Sequence, residues 1–254
     1  MSDPFVDPAT AAAPIPVPAP RQPAQPKAAP KWETDTKDRI RAMIRKYQKA
    51  LASLVDRDAN EGDTRLLVTD FLEHALGYDK YNNLTTEYLV QGEFADYGIR
   101  IDQQLVAFVE VKRATTKLGT KHLRQVQSYA ANKGVSWVIL TNGQDWETYH
   151  ISDRTPISAD LVFAVNLLGP ETGAQKASTL FLLSLEAMKR DPAVIQECWD
   201  RKAATSPRVL GSALLSEPII TALRRKLKSA TGFNVDDDEL KRLVRDTVIR
   251  PEAL

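Results

Sequence analysis

The stretch Leu105-Val106-Ala107-Phe108-Val109 restricts the fold most. Five apolar residues in an unbroken run, ending at Glu110, read as a central strand covered on both faces. A strand covered on both faces needs helices in front of the sheet and behind it, which is an α/β arrangement. The neighbouring sequence agrees. Thr85–Gln91, Ala95–Ile101 and Leu105–Lys112 read as three strands, linked through Gly92–Phe94 and Asp102–Gln104 as hairpins. A helix is predicted over Thr120–Asn132. Val135–Thr141 and Trp146–Ile151 read as further strands joined by the turn Asn142-Gly143, and 161–168 as one more extended piece. The sheet is therefore expected to be mixed.

Helices are predicted on either side of this block. From near Thr34, Ile40, Ile44, Tyr47, Leu51 and Leu54 recur at three- and four-residue steps. A second helix follows Asp63, with Leu66, Leu67, Phe71, Leu72 and Leu76 as its stripe and Gly77 as its stop. Beyond 168, helices are expected over about 174–189, 192–203, 217–230 and 237–249. Gly232 caps the third, and Asp236-Asp237-Asp238 opens the fourth, where acids suit the helix dipole. Nine of the fifteen prolines lie in residues 1–31, interleaved with alanine. That stretch has no periodic apolar face and is expected to stay extended and disordered. The chain thus divides into a 1–31 tail, an α/β domain over 32–168 and a helical module over 169–254.

Composition excludes little more. No apolar run approaches a membrane span, and the N-terminus shows no basic-then-apolar secretory pattern. Cys198 is the one cysteine, so no internal disulfide forms, and beside Trp199 it reads as a small packing residue. A cytoplasmic protein is expected. The net charge of +1 is silent about partners. From Lys112 to Lys133, however, Lys112, Arg113, Lys117, Lys121, Arg124 and Lys133 occur with no acid between them. That segment reads either as a phosphate-facing patch or as a solvated helix face.

An acid–x–Lys triplet occurs at Asp35, Glu110, Asp200 and Glu239, but only Glu110-Val111-Lys112 ends an apolar strand. Residues two apart on a strand share a face, so Glu110 and Lys112 converge while Val111 turns into the core. Asp96, on the preceding hairpin strand, falls beside Glu110. The two carboxylates can share a hard cation through oxygen. Such a cation would polarise a phosphodiester and lower the pKa of a water, with Lys112 beside that water and the developing charge. His74, His122 and His150 show no metal spacing, and His74 no partner ligand. Carboxylates this close repel one another. Asp96→Asn is therefore expected to leave the fold as stable as before, or slightly more so.

These residues resemble the PD-(D/E)xK nuclease superfamily, and more narrowly the N-terminal nuclease domain of type I restriction enzyme R subunits and stand-alone relatives. The resemblance runs from Asn60-Glu61-Gly62-Asp63-Thr64-Arg65 through Thr86-Glu87-Tyr88, Ala95-Asp96-Tyr97 and Val109-Glu110-Val111-Lys112-Arg113. It continues through Gln125-Val126-Gln127-Ser128-Tyr129 to Leu140-Thr141-Asn142-Gly143 and Trp146-Glu147. Ala95 stands where the motif's name has proline, which the chemistry does not need. The resemblance implies a restriction-endonuclease-like core and a Mg²⁺- or Mn²⁺-dependent DNA endonuclease of restriction or phage defence. Asp96, Glu110, Lys112 and Gln125 would be catalytic, with Glu61 joining Asp96 and Glu110 at the metal. Arg113, Lys117, Lys121, Arg124 and Tyr129 would meet DNA. Gln125 and Tyr129, four apart on a helix, equally read as a solvent-facing pair. No phosphate-binding Gly-x-x-x-x-Gly-Lys loop occurs, so no ATP-driven motor is expected. Two other roles stay open: a silent module that binds nucleic acid or protein, and an assembly protein whose C-terminal helices meet a second copy or a partner.

Overall fold

The computed structural model describes residues 29–90, 93–152 and 157–251, without the side chains of residues 88–90, 93, 94, 125 and 129. The proline-rich residues 1–28, and the disorder expected of them, lie outside the described residues. The first described element is α1 (Lys31–Asp56), which begins before the expected Thr34. Its first turn is anchored because Trp32 packs on Phe181, ring centroids 5.7 Å apart, with the Arg190 guanidinium over the indole at 4.7 Å. Ile40, Ile44, Tyr47, Leu51 and Leu54 are all buried, as their spacing requires.

Helix α2 (Glu61–His74) is capped by the Asn60 side chain, which accepts from Asp63 N. Its buried stripe is Thr64, Leu67, Val68, Phe71 and Leu72. Leu66 was expected in that stripe but is 70% exposed. The inward register is set instead by Thr64, whose hydroxyl accepts from Ala114 N at 3.1 Å. That register turns the next-but-one residue outward.

The described residues form a six-stranded mixed sheet in sequence order: β1 (Leu84–Val90), β2 (Glu93–Ile101), β3 (Gln104–Val111), β4 (Trp137–Thr141), β5 (Asp145–Ile151) and β6 (Ala159–Asn166). Only β3 and β4 run parallel, across a crossover carrying a 3-10 turn (Thr120–His122) and α3 (Leu123–Lys133). The hairpin links are shorter than the sequence suggested. Val90 pairs with Glu93, and Ile101 with Gln104, so two residues separate the paired positions in each case. Asp102 and Gln103 both take positive φ, 47° and 68°, as a two-residue turn matched to strand twist demands. One apolar layer lies between the sheet and α1 and α2, with Phe71, Trp146, Val109 and Val111 in it. A second layer lies under α3, with Phe108, Leu123, Val126, Val138 and Leu140. This is the restriction-endonuclease-like α/β core, with a central sheet between helices and further helices after it.

The main core continues past residue 168, through Ala177, Leu180, Phe181, Leu183, Ala187, Met188 and Ile195. The helix expected over 174–189 is two, α4 (Gly173–Phe181) and α5 (Leu185–Arg190). The break arises because Leu183 O accepts from the Tyr78 hydroxyl at 2.8 Å, Leu185 N donates to Leu76 O, and Ser184 caps α5. Helix α6 (Val194–Ala204) covers the sheet's edge, where Lys202 Nζ donates to Leu161 O and Val162 O and so closes an open strand. Helix α7 (Pro207–Leu214) was not anticipated, although Ser206-Pro207 is the sequence signature of a cap followed by a first helical turn. After α8 (Glu217–Thr231), the helix expected over 237–249 is α9 (Asp237–Leu243) and then a π turn (Val244–Val248). No helix of the described residues is long and apolar enough to cross a membrane.

Candidate active site

The end of β3 is pinned on both sides. Backbone pairing of β2 with β3 reaches Tyr97 opposite Val109. Farther on, Val111 N donates to Asp96 Oδ2 at 2.7 Å, and Lys112 N donates to Thr141 O on β4 at 2.8 Å. Asp96 therefore stands at the seam between strands. Val111 is fully buried, which leaves Glu110 and Lys112 on one face, Lys112 Nζ 2.6 Å from Glu110 Oε1. The chain leaving β3 is held by the β4–β5 turn: Gln144 Nε2 donates to Ala114 O and Asn142 Nδ2 to Thr116 O. Gly143 in that turn has φ +87°, and a Cβ there would sit 3.1 Å from Leu51 Cδ1. The turn packs directly on α1 and needs the smallest residue.

Glu110 is 5% exposed, and its Oε2 is buried with no hydrogen-bond partner. Burial pushes its pKa up, against the Lys112 ammonium, and the fields of Asp96 and Glu61 push the same way. Burial works against a charged Lys112, yet the bonded Glu110 carboxylate, with Glu61 and Asp96, carries its pKa above the ordinary value. The ammonium form is held.

Arg65 has the central position that the sequence reading missed. Its Nη2 lies 2.6 Å from Asp96 Oδ1 and 3.9 Å from Glu61 Oε1, and Nη1 lies 4.0 Å from Glu87 Oε1. The expectation of mutually repelling, unpaired carboxylates is thereby corrected. Asp96 is paired with Arg65 and bonded to Val111 N, and Glu110 is paired with Lys112. The signal was present in the sequence. Arg65 follows Glu61 by four residues on one helix, so the two share a face.

The remaining predicted residues are placed as follows. Glu61 stands at the start of α2, half-exposed. The side chains of Gln125 and Tyr129 lie outside the described residues. Lys117, Lys121 and Arg124 are exposed. Arg113 is exposed and donates to the Asp58 carboxylate at 3.0 Å and to the carbonyls of Asp58 and Ala59, bracing the α1–α2 turn. His122 lies within the field of the centre. Burial lowers its pKa, Lys121 and Lys112 lower it further, and Glu147 and Glu61 oppose them.

Among the described residues, the acid and histidine group whose ligand atoms all lie within 4.8 Å of one another is Asp70, Glu73 and His74 on α2. The reading that His74 has no partner ligand is corrected accordingly, since three- and four-residue steps put all three on one helix face. This group is largely exposed, and Lys80 Nζ sits 3.2 Å from Glu73 Oε2. Glu61, Asp96 and Glu110 do not reach that spacing here, and the Arg65 guanidinium lies between Asp96 and Glu61.

Residues 60–161 match the family described as Type I restriction enzyme R protein N terminus (HSDR_N). The match spans Glu61, Arg65, Asp96, Glu110, Lys112 and the β4–β5 turn, and it ends before α4. Comparison with curated proteins and with solved structures gave no match.

Proposed function

We propose, starting from that family match, that the chain is a divalent-metal-dependent endodeoxyribonuclease of a restriction or phage-defence system working in the cytoplasm. Asp96 and Glu110 hold the cation, Glu61 completes the set from α2, and Lys112 acts on the water and on the phosphate. One observation carries this reading. Glu110 is a buried carboxylate with an unpartnered oxygen, and such an oxygen is costly unless something cationic takes it up. The donor set is all oxygen, which suits Mg²⁺ or Mn²⁺. When bound, the cation supplies a Lewis acid for the phosphodiester and for the attacking water.

The residues do the rest. Lys112 is held as an ammonium, so it serves as a fixed positive charge and proton-bearing group against the anionic transition state. In the reaction the oxygen of water bonds to phosphorus, one P–O bond of the DNA backbone breaks, and the leaving oxygen takes up a proton. Gln125 is proposed to touch the centre or the DNA backbone from α3, with Tyr129 beside it. The exposed Lys117, Lys121 and Arg124 are better phosphate partners than Arg113, which is engaged with Asp58.

A second reading, a module that binds without cutting, is favoured by one observation: Arg65 already neutralises Asp96. Incubation with supercoiled plasmid and with single-stranded DNA, in Mg²⁺ or Mn²⁺ and in chelator, separates the two. The nuclease reading expects metal-dependent cutting by the parent and none by Lys112→Ala. Equal, residual cutting by both proteins, with DNA binding retained, would favour the binding module.

A further inference from the structure

The last helices bury few apolar residues and expose many. From Pro207 onward the buried cluster is Ile220, Leu240, Val244 and Ile249. Val209, Leu210, Leu214, Phe233, Leu243 and Val248 are each at least 46% exposed. So much apolar surface on so small a unit marks an interaction site. Two of its features are complementary. A groove of about 330 Å³ runs between α7 and the end of the described chain, walled by Pro207, Leu210, Leu214, Val248 and Arg250. Phe233, 76% exposed, stands immediately past the left-handed cap of α8 at Gly232, φ +78°. Charge follows the same division. The acids Asp236, Asp238 and Glu239, all exposed, come just after Phe233, whereas Arg250 is in the groove wall and exposed Arg208 adjoins Pro207.

We propose that the partner for this surface is a second copy of the same chain. Two copies pair about a two-fold axis, each seating Phe233 in the other's groove and bringing the acids at the start of α9 against Arg208 and Arg250. Two-fold pairing makes every such contact twice, which is how one self-complementary patch closes a dimer. The competing occupant is Asp3-Pro4-Phe5-Val6-Asp7, an acid-flanked phenylalanine in the same chain. Phe233 is favoured because it stands exposed just past a capped helix, so its backbone is positioned before docking.

The test is the oligomeric state of the full chain, by sedimentation over a wide concentration range. The parent should be a dimer. Phe233→Glu and Leu214→Glu, both at exposed positions, should each weaken dimerisation by about 30-fold or more while leaving the far-ultraviolet circular dichroism unchanged. Mixing the two variants should restore dimers, because one of the two contacts then joins a native phenylalanine to a native groove. A monomeric parent, a variant that dimerises like the parent, or oligomers that grow without limit would each overturn the proposal. So would the appearance of dimers only after residues 1–28 are deleted, which would make the N-terminal segment the groove's occupant.

Discussion

Arg65→Ala should move stability and metal affinity in opposite directions. In the folded protein, Arg65 Nη2 is 2.6 Å from Asp96 Oδ1, with the Asp96 side chain 10% and the Arg65 side chain 34% exposed. A charge-assisted contact to a nearly buried carboxylate contributes about 1.5–3 kcal/mol, and discounting for the solvated arginine leaves about 1–2 kcal/mol. Removing Arg65 leaves Asp96 with the Val111 amide as its donor. For a chain of this size, the loss should lower Tm by about 2–8 °C without metal. A cation that binds Asp96 must first displace the same contact, so relieving it should tighten Mn²⁺ binding by about 5–30-fold. Thermal melting in chelator and calorimetric Mn²⁺ titration measure the two effects. Weaker or unchanged Mn²⁺ binding alongside the drop in Tm would refute the reasoning and leave Arg65–Asp96 as a structural ion pair only.

Three further outcomes follow from the same geometry. A chain ending at residue 205 should melt near the parent, whereas one ending at 168 should lose near-ultraviolet circular dichroism, because Leu180, Phe181, Leu183 and Met188 belong to the main core. Neutralising Lys117, Lys121 and Arg124 together should weaken DNA binding and reduce the salt slope by about three phosphates' worth; an unaltered slope would make this segment an ordinary wet helix. Burial, helped by Glu186, raises the Tyr78 phenol pKa, so its contribution is fully present below about pH 10 and is lost as pH rises beyond that. Tyr78→Phe gives up the bond to Leu183 O, costing about 1 kcal/mol near neutrality. In denaturant titrations at rising pH it should close that gap, and a constant gap would contradict the assignment.

What was legible in the sequence depended on the range of the interactions. The period-3.6 stripe of α1 and the apolar run of β3 are local patterns, and both elements formed where those patterns lie. Glu110 and Lys112 were legible for the same reason, since two-residue spacing on a strand sets a shared face whatever the rest of the fold does. Asp96 was legible because a hairpin is a short-range pairing. The ends and breaks of elements were not. The split between α4 and α5 depends on Tyr78, about a hundred residues earlier in the chain, taking the Leu183 carbonyl. The outward turn of Leu66 depends on Thr64 meeting Ala114. Arg65 was passed over because its four-residue step from Glu61 shows only a shared helix face, while its nearest partner, Asp96, is brought there by the packing of a strand. The same holds for His74, which gains Asp70 and Glu73 by helix spacing but acquires Lys80 beside them only through the following turn.

The central claim is that the carboxylates at the end of β3 hold the catalytic cation. The most direct measurement is a Mn²⁺ titration, followed by the electron paramagnetic resonance of the free ion, on the parent, Asp96→Asn, Lys112→Ala and His74→Ala. The parent should take up one or two ions. Asp96→Asn should lose that uptake, while Lys112→Ala and His74→Ala should keep it. If Asp96→Asn binds Mn²⁺ like the parent while His74→Ala does not, the ion belongs to the surface group on α2, and the metal-centre account of Asp96, Glu110 and Glu61 is wrong.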